Sequence, residues 1–311
     1  MPDFTDPHGA NQHGANQQGA NQHRANRQWA DRYWTSADGI KLHYRDYAGP
    51  LDRPPILCIP GLTRNARDFE PLADRYAGEW RVLCVDLRGR GGSGFDPDPA
   101  NYAPAVYVAD LLKFLDQLGI ADAVFIGTSL GGLCTMLLAA TDAERIAGVL
   151  LNDIGPVIDQ AGIDRIGSYV GQDTRFASWD EAIGELRDRH GATFPKWGAG
   201  EWERFARRIA REEKGQVRFD YDMAIADNFV RAAGKPQVDA WPLYRALEGR
   251  PVTILRGAHS DLLSDETALA MVEELSDAKL VTVPHVGHTP NLEEPESHAA
   301  IDELLDRVLA R

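Results

Sequence analysis

Ser129 stands out because of the residues on either side of it. It is the centre of Gly-Thr-Ser-Leu-Gly at residues 127–131, preceded by a short apolar segment at 123–126 and followed by a longer one at 133–140. The lengths of these segments predict a buried strand, a sharp turn and a helix. Small residues beside the serine would let strand and helix approach closely and would lift its hydroxyl clear of the sheet. A serine presented in this way can attack a carbonyl carbon.

A serine hydroxyl is a poor nucleophile near neutral pH and needs a base, usually a histidine held by a carboxylate. His288 is the favoured base, because it follows the last predicted strand and precedes the last predicted helix, within Val-Gly-His-Thr-Pro at 286–290. His285, next to that strand, and His259 are the alternatives.

The carboxylate predicted to hold this histidine is Asp261, in the loop that follows a predicted strand at 252–255. From that sheet edge it could accept the second imidazole N–H and fix the tautomer. Asp153, at the end of the preceding strand, is the alternative acid. Its alternative structural role is capping or a loop hydrogen bond. Asp265 is interpreted as a helix N-cap or first-turn residue.

Acyl transfer also needs two backbone N–H groups directed at the developing oxyanion. One is predicted to be that of Leu130, directly after the serine, and the other that of Leu62 in Pro60-Gly61-Leu62. Gly61 would allow this loop to approach the substrate, although a simple turn role is also compatible with Pro60-Gly61.

The rest of the chain provides the framework that these residues require. Short apolar runs bounded by Gly, Pro or Asp alternate with helix-like stretches, which indicates a mostly parallel α/β sheet with helices on both faces. The runs lie at 56–59, 82–85, 124–126 and 149–151, and the helix-like stretches at 67–76, 105–118 and 130–140. A hairpin is expected at the start, with its turn at Ala37-Asp38-Gly39.

The alternation stops after Gly155-Pro156 and resumes at residue 252, followed by a helix from about Asp265, a strand at 280–283 and a helix after Pro295. The core is therefore predicted at 29–156 and 241–311, with an all-helical cap at 157–240 over the edge where such sheets bind ligands. Aromatic residues in the cap are expected mainly to pack its own small core, with fewer touching substrate. They are Trp179, Phe194, Trp197, Trp202, Phe205, Phe219, Tyr221 and Phe229.

Composition narrows the possible partners and the compartment. The chain has 311 residues, 43% of them hydrophobic, and a formal net charge of -14, which disfavours nucleic acid and anionic membrane surfaces as partners. No apolar run approaches the ~20 residues of a membrane span, and the N-terminus is polar. The three cysteines lie in apolar runs, are odd in number and show no close spacing, which favours the cytoplasm. Residues 1–28 contain a five-residue repeat and are expected to form a disordered tail.

Together these motifs resemble the α/β-hydrolase superfamily over about residues 33–309, cap included. Asp-Leu-Arg-Gly-Arg-Gly-Gly-Ser at 86–93 is similar to the family's Asp-x-Arg-Gly-x-Gly-x-Ser loop, and residues 287–295 are similar to its Gly-His-x-Pro-x-x-Glu-x-Pro segment. The resemblance implies an α/β-hydrolase fold in which Ser129, Asp261 and His288 form a catalytic triad. One departure is Pro60-Gly61 where the family usually has His-Gly, which changes the side-chain support of the oxyanion loop.

The resemblance also limits the activity. Family members with an aspartate nucleophile, the epoxide hydrolases and haloalkane dehalogenases, differ from this chain at Ser129. Carbon-carbon bond hydrolases tend to carry Trp after the catalytic His, where this chain has Thr289. Hydrolysis of a small or medium, partly apolar ester is the main prediction, without cofactor or metal. Lactone or enol-lactone opening, carbon-carbon cleavage and a slow, receptor-like relative remain alternatives.

Overall fold

The structure is a computed structural model that describes residues 29–233 and 238–311. The predicted tail at 1–28 lies outside the described residues. The strands, in chain order, are β1 (Trp29–Thr35), β2 (Lys41–Tyr47), β3 (Ile56–Ile59), β4 (Val82–Val85), β5 (Ala123–Thr128), β6 (Ile146–Asn152), β7 (Arg175–Phe176), β8 (Ala210–Glu213), β9 (Gln216–Phe219), β10 (Val252–Gly257) and β11 (Ala278–Val283).

The helices follow the strands in the alternation predicted from the sequence. They are α1 (Glu70–Tyr76), α2 (Pro104–Leu118), α3 (Leu130–Asp142), α4 (Gln160–Gly167), α5 (Trp179–His190), α6 (Ala199–Ile209), α7 (Ile225–Ala233), α8 (Trp241–Arg245), α9 (Asp265–Glu274) and α10 (Pro295–Leu309). A short 3-10 turn at Ala66–Phe69 precedes α1.

Eight strands form one sheet in the order β1-β2-β4-β3-β5-β6-β10-β11. From β4 to β11 all neighbours are parallel, while β1 and β2 pair antiparallel and form the predicted hairpin at one side. Every residue of β3, β4, β5 and β10 is buried, as expected for strands covered on both faces. The predicted α/β-hydrolase fold is therefore confirmed, and the carboxyl ends of β5, β6 and β10 lie side by side.

The segment between β6 and α8 is the predicted insertion, and its structure corrects one expectation. It contains α4 to α7, but also a three-stranded antiparallel sheet in the order β7-β9-β8. The insertion is consequently not all-helical. The backbone between β8 and β9 reverses at Lys214 and Gly215, both with positive φ, which is the geometry of a tight hairpin turn.

Hydrogen bonds fasten the insertion to the core at several places. The Asn65 side chain donates to the Arg208 carbonyl at 3.1 Å, and the Gly287 N–H donates to the Thr193 carbonyl at 2.9 Å. Arg67 donates to the Asp220 carboxylate at 2.8 Å. These contacts set the height of the insertion above the sheet, and with it the shape of the space beneath.

Within the described part of the chain, no helix is long and apolar enough to span a membrane.

Candidate active site

Ser129 occupies a strained turn between β5 and α3. Its φ of 50° and ψ of -112° are rare for a residue with a side chain, and such strain concentrates at functional sites. The two glycines are needed for space: a Cβ on Gly131 would lie 2.1 Å from the Ile59 carbonyl oxygen, and one on Gly127 would lie 2.6 Å from the Gly131 carbonyl carbon. The predicted close approach of strand and helix is present.

The Ser129 hydroxyl faces His288, as the sequence predicted. Ser129 Oγ lies 3.1 Å from His288 Nε2, within hydrogen-bond reach. The other ring nitrogen, Nδ1, lies 2.8 Å from Oδ2 of Asp153. An imidazole that is held by a carboxylate on one side and faces a hydroxyl on the other can accept the hydroxyl proton.

Asp153 is the carboxylate that contacts His288, and it is fully buried directly after β6. Its Oδ2 also accepts a hydrogen bond from Ser260 Oγ at 2.7 Å, while Oδ1 accepts one from the Gly257 N–H at 2.8 Å. These donors, together with the His288 N–H, satisfy a carboxylate that would otherwise be costly to bury.

The predicted contact between Asp261 and His288 is therefore corrected to Asp153. Asp261 lies four residues beyond the end of β10, and there its carboxylate accepts hydrogen bonds from Arg165 Nε at 2.5 Å and Nη2 at 2.9 Å. Burial alone would raise the pKa of Asp261, but the Arg165 guanidinium outweighs burial and holds that pKa below its usual value. Ser260, next to Asp261, is the residue of this loop that reaches Asp153.

The other candidates from the sequence, His259, His285 and Asp265, lie in turns or at a helix start. The His259 N–H donates to the Val286 carbonyl at 2.8 Å, and His285 adopts a positive φ in the turn after β11. Ser264, rather than Asp265, caps α9 by accepting from the Thr267 N–H. Asp265 is the first residue of that helix, in agreement with the other half of its interpretation.

The N–H groups of Leu62 and Leu130 are both available at the site. Among the described residues, neither N–H has a hydrogen-bond acceptor. Fully buried Arg90 anchors the loop from behind, because its Nε donates to the Leu62 carbonyl at 2.9 Å. This bond supports the loop in which Pro60-Gly61 stands where the family usually has His-Gly. A Cβ on Gly61 would meet its neighbours at an ordinary 3.7 Å, so the backbone does not require glycine there.

A cavity of about 80 Å³ lies between the insertion and the edge of the sheet, and Ser129 and His288 are on its wall. The insertion contributes mainly apolar and aromatic side chains, which include Ile166, Leu186, Phe194, Ile209, Phe219 and Tyr221. Other aromatic residues of the insertion instead pack around Phe194, as the sequence predicted for the majority. Trp197, Trp202 and Phe205 form this cluster, with ring centroids 3.7 to 6.2 Å from that of Phe194.

In the described ranges, no group of three His, Cys, Asp or Glu side chains is arranged to hold a metal ion.

Comparison with known proteins gives the family. The model of the alpha/beta hydrolase family matches residues 56–301, which include Ser129, Asp153 and His288. The chain belongs to the alpha/beta hydrolase family. A solved alpha/beta hydrolase from Novosphingobium aromaticivorans is 51% identical, has a TM-score of 0.87, and the match covers 90% of this chain and 99% of that one.

Two relatives of this alpha/beta hydrolase have names that state a substrate. A 3-hydroxybutyrate-oligomer hydrolase from Cupriavidus necator is 33% identical, with 82% of this chain and 89% of the relative covered. A 2-(acetamidomethylene)succinate hydrolase from Mesorhizobium japonicum is 29% identical, with 80% and 85% covered.

Three residues that support the site of this alpha/beta hydrolase were missed in the sequence. Asn152 Nδ2 donates to Thr128 Oγ1 at 3.1 Å and to the Pro290 carbonyl at 3.0 Å, which links β6 to the loop of His288. Ser260 and Arg90 hold Asp153 and Leu62, as described above. The only signal for Asn152 and Ser260 is that each directly precedes a candidate acid in the sequence, and Arg90 belongs to the loop motif at 86–93.

His190, on the cavity wall, has an unusual environment. Burial lowers the pKa of its imidazole, and the nearby guanidinium groups of Arg64, Arg165 and Arg189 and the ring of His288 lower it further, to about 3. Its ring packs edge-on against Tyr169 and Phe205, with centroids 5.6 and 5.8 Å apart. His190 is therefore neutral near pH 7.

This environment predicts a pH effect on stability. The folded-state pKa lies below the ~6.5 of an unfolded histidine, so between these values the unfolded chain binds more protons. The contribution is fully present above pH ~6.5 and is lost as the pH falls toward 3. In His190→Phe, the free energy of unfolding should depend less steeply on pH between 4 and 6, by up to about 1.4 kcal/mol per pH unit. Urea unfolding across this range measures the slope, and an unchanged slope would contradict the assignment.

Proposed function

We propose that this protein is a serine hydrolase that cleaves carboxylic esters through an acyl-enzyme. Ser129 is the nucleophile, His288 the general base and Asp153 the residue that orients His288. The observation that carries the proposal is the unbroken line of contacts from Asp153 Oδ2 through the imidazole to Ser129 Oγ, at 2.8 and 3.1 Å. Family membership supports hydrolysis, and this line supports the mechanism.

The proposed reaction has two halves. His288 takes the Ser129 proton through Nε2 as Oγ attacks the ester carbonyl, and the tetrahedral oxyanion accepts hydrogen bonds from the Leu62 and Leu130 N–H groups. The imidazolium then protonates the departing alcohol, which leaves the acyl group on Ser129. A water molecule activated by His288 attacks this acyl-enzyme, and the acid is released.

The cavity supports a small or medium substrate with an apolar part. Its volume is about 80 Å³, and the insertion lines it mostly with aliphatic and aromatic side chains. The name of the Cupriavidus necator relative also favours an ester of a short aliphatic acid, because units of hydroxybutyrate in an oligomer are joined by ester bonds. The proposed partner is accordingly a small-molecule ester.

Covalent labelling tests this proposal directly. A fluorophosphonate should react with the purified protein at one serine, and peptide mass spectrometry should find the adduct at Ser129. Hydrolysis of methyl and 4-nitrophenyl esters of short acids, followed in a pH-stat, should stop in proportion to labelling. A slow, receptor-like protein would label poorly and hydrolyse no ester of the panel, and a lactone or dienone hydrolysed far better than any ester would replace the substrate class.

A further inference from the structure

One part of the cavity wall differs from its apolar surroundings. Arg64, Tyr169, Arg189 and His190 all line the cavity that contains Ser129 and His288, and we call them the polar wall. Arg64 follows the loop of Leu62, while the other three come from the insertion. The triad and the two proposed oxyanion donors do not include any of these residues.

Both arginines of the polar wall are held in place yet keep a donor available. Arg64 donates through Nε and Nη2 to Asp68, at 2.6 and 3.1 Å, and its guanidinium carbon lies 4.3 Å from the Phe205 ring centroid. Arg189 donates through Nε to Glu185 at 2.6 Å and through Nη2 to Gln172 at 3.4 Å. Among the described residues, neither Nη1 atom has an acceptor.

The charges of the cavity lining favour an anion. Two guanidinium groups line it against a single carboxylate, that of Asp68, because the Glu185 partner of Arg189 is not part of the lining and its side chain is 38% exposed. Burial is the main cause of the low pKa of His190, and the guanidinium groups of Arg64, Arg165 and Arg189 lower it further because their charges make the potential at this wall positive. The potential that repels a proton from His190 attracts a negatively charged group.

We propose that the polar wall binds a carboxylate of the substrate, so that the preferred substrates are short esters that carry one free carboxylate. This inference rests on the proposed function for the reaction itself. Guanidinium N–H groups match the geometry and charge of a carboxylate, and a buried charge-assisted hydrogen bond is stronger than a neutral one. The apolar wall would pack against the carbon skeleton between the ester and the carboxylate.

Matched substrates separate charge from shape. Monomethyl succinate and methyl succinamate differ only in carboxylate against carboxamide on the acyl side of the ester. Likewise, 3-acetoxybutyrate and 3-acetoxybutyramide differ in the same way on the alcohol side. In the wild-type protein, kcat/KM should favour the carboxylate of at least one pair by 10-fold or more, and the better pair identifies the side that faces the polar wall.

Substitutions then test whether the arginines of the polar wall cause the preference for a carboxylate. Arg64→Gln and Arg189→Gln should each lower the carboxylate-to-carboxamide ratio of kcat/KM by about 10-fold to 100-fold, mainly through KM, since a charged hydrogen bond contributes this much. Arg64→Lys should retain most of the preference. Arg204→Gln on α6, with its side chain 58% exposed, makes the same change of charge away from the cavity and should leave the ratio unchanged.

A double variant tests whether repulsion by Asp68 alone explains the loss of carboxylate preference in Arg64→Gln. Arg64→Gln uncovers Asp68, which could repel the carboxylate without any role of Arg64 in binding. In the Arg64→Gln/Asp68→Asn variant both charges are absent, and the preference should remain low. Recovery of the wild-type ratio in this variant would overturn the role of Arg64.

The outcomes for the two proposals are distinguishable. Ser129-dependent hydrolysis with equal rates for carboxylate and carboxamide would overturn the polar wall and leave the ester mechanism standing. If the wild type hydrolyses no ester, the proposed function fails, and calorimetry with succinate and succinamate still tests the wall. Equal affinity for these two ligands would then overturn it as well.

Discussion

Asp153→Asn should lower kcat for ester hydrolysis by about 10⁴-fold, the size of loss known when the carboxylate of a Ser-His-Asp triad becomes an amide. The Gly257 N–H can still donate to the remaining amide oxygen, and the amide nitrogen, in the place of Oδ2, can donate to Ser260 Oγ instead of accepting from it, so the side chain should stay in place. The amide NH₂ would face His288 Nδ1 and favour the tautomer that protonates Nε2. An imidazole in that tautomer cannot accept the Ser129 proton.

Asp261→Asn is the matched control for this change. Asp261 occupies the position that the sequence favoured, its carboxylate bonds to Arg165, and its loss should change kcat by less than about 3-fold, the effect of a partly exposed ion pair. Both variants should be compared by single-turnover kinetics and thermal unfolding. A large loss in Asp261→Asn together with a mild one in Asp153→Asn would return the acid role to Asp261.

Unfolding of the same variants gives a check on folding. The Arg165 to Asp261 pair has side chains 26% and 32% exposed, so its removal should cost about 1 kcal/mol or less. Asp153 is fully buried with its donors satisfied, and a change there costs more stability. Activity should therefore be measured at a temperature well below the unfolding midpoint of both variants.

The serine and the histidine could be predicted because their signals are local. Ser129 lies between two glycines that no larger residue can replace, and His288 lies between a recognisable last strand and last helix. In contrast, the acid depends on which of two adjacent strand ends faces the imidazole. β6 lies directly beside β5, whereas β10 is one strand further away. Sequence alone contains the strands but not their order in space.

The insertion shows a second limit of prediction from the sequence. Alternation over four residues in β8 and β9 is too short to distinguish a strand from a helix turn, and β8 is rich in charged residues. The Lys214-Gly215 pair at the hairpin was the available signal, and it is weaker than Asn-Gly. The polar wall could not be predicted either, because Arg64 and Arg189 come together only when the insertion is seated on the core.

Ser129→Ala should lower kcat by at least about 10⁴-fold for every ester that the protein hydrolyses. A residual rate should remain, because the oxyanion donors and substrate binding are unchanged. Among the described residues, the Ser129 hydroxyl has a hydrogen-bond partner only in His288, so the variant should unfold at nearly the wild-type temperature. Ser276→Ala, which removes an exposed hydroxyl bonded to Glu248, is the matched control and should keep full activity.

This variant also decides between covalent catalysis and direct attack by water. If His288 activated a water molecule against the ester itself, the cavity and the base would survive in Ser129→Ala, and a tenth or more of the activity would remain. In the acyl-enzyme mechanism, the wild type should release the alcohol of a slow ester in a burst equal to the enzyme concentration, and intact-mass measurement should find the acyl group. Both signals should be absent from Ser129→Ala, because the atom that forms the new bond is the one removed.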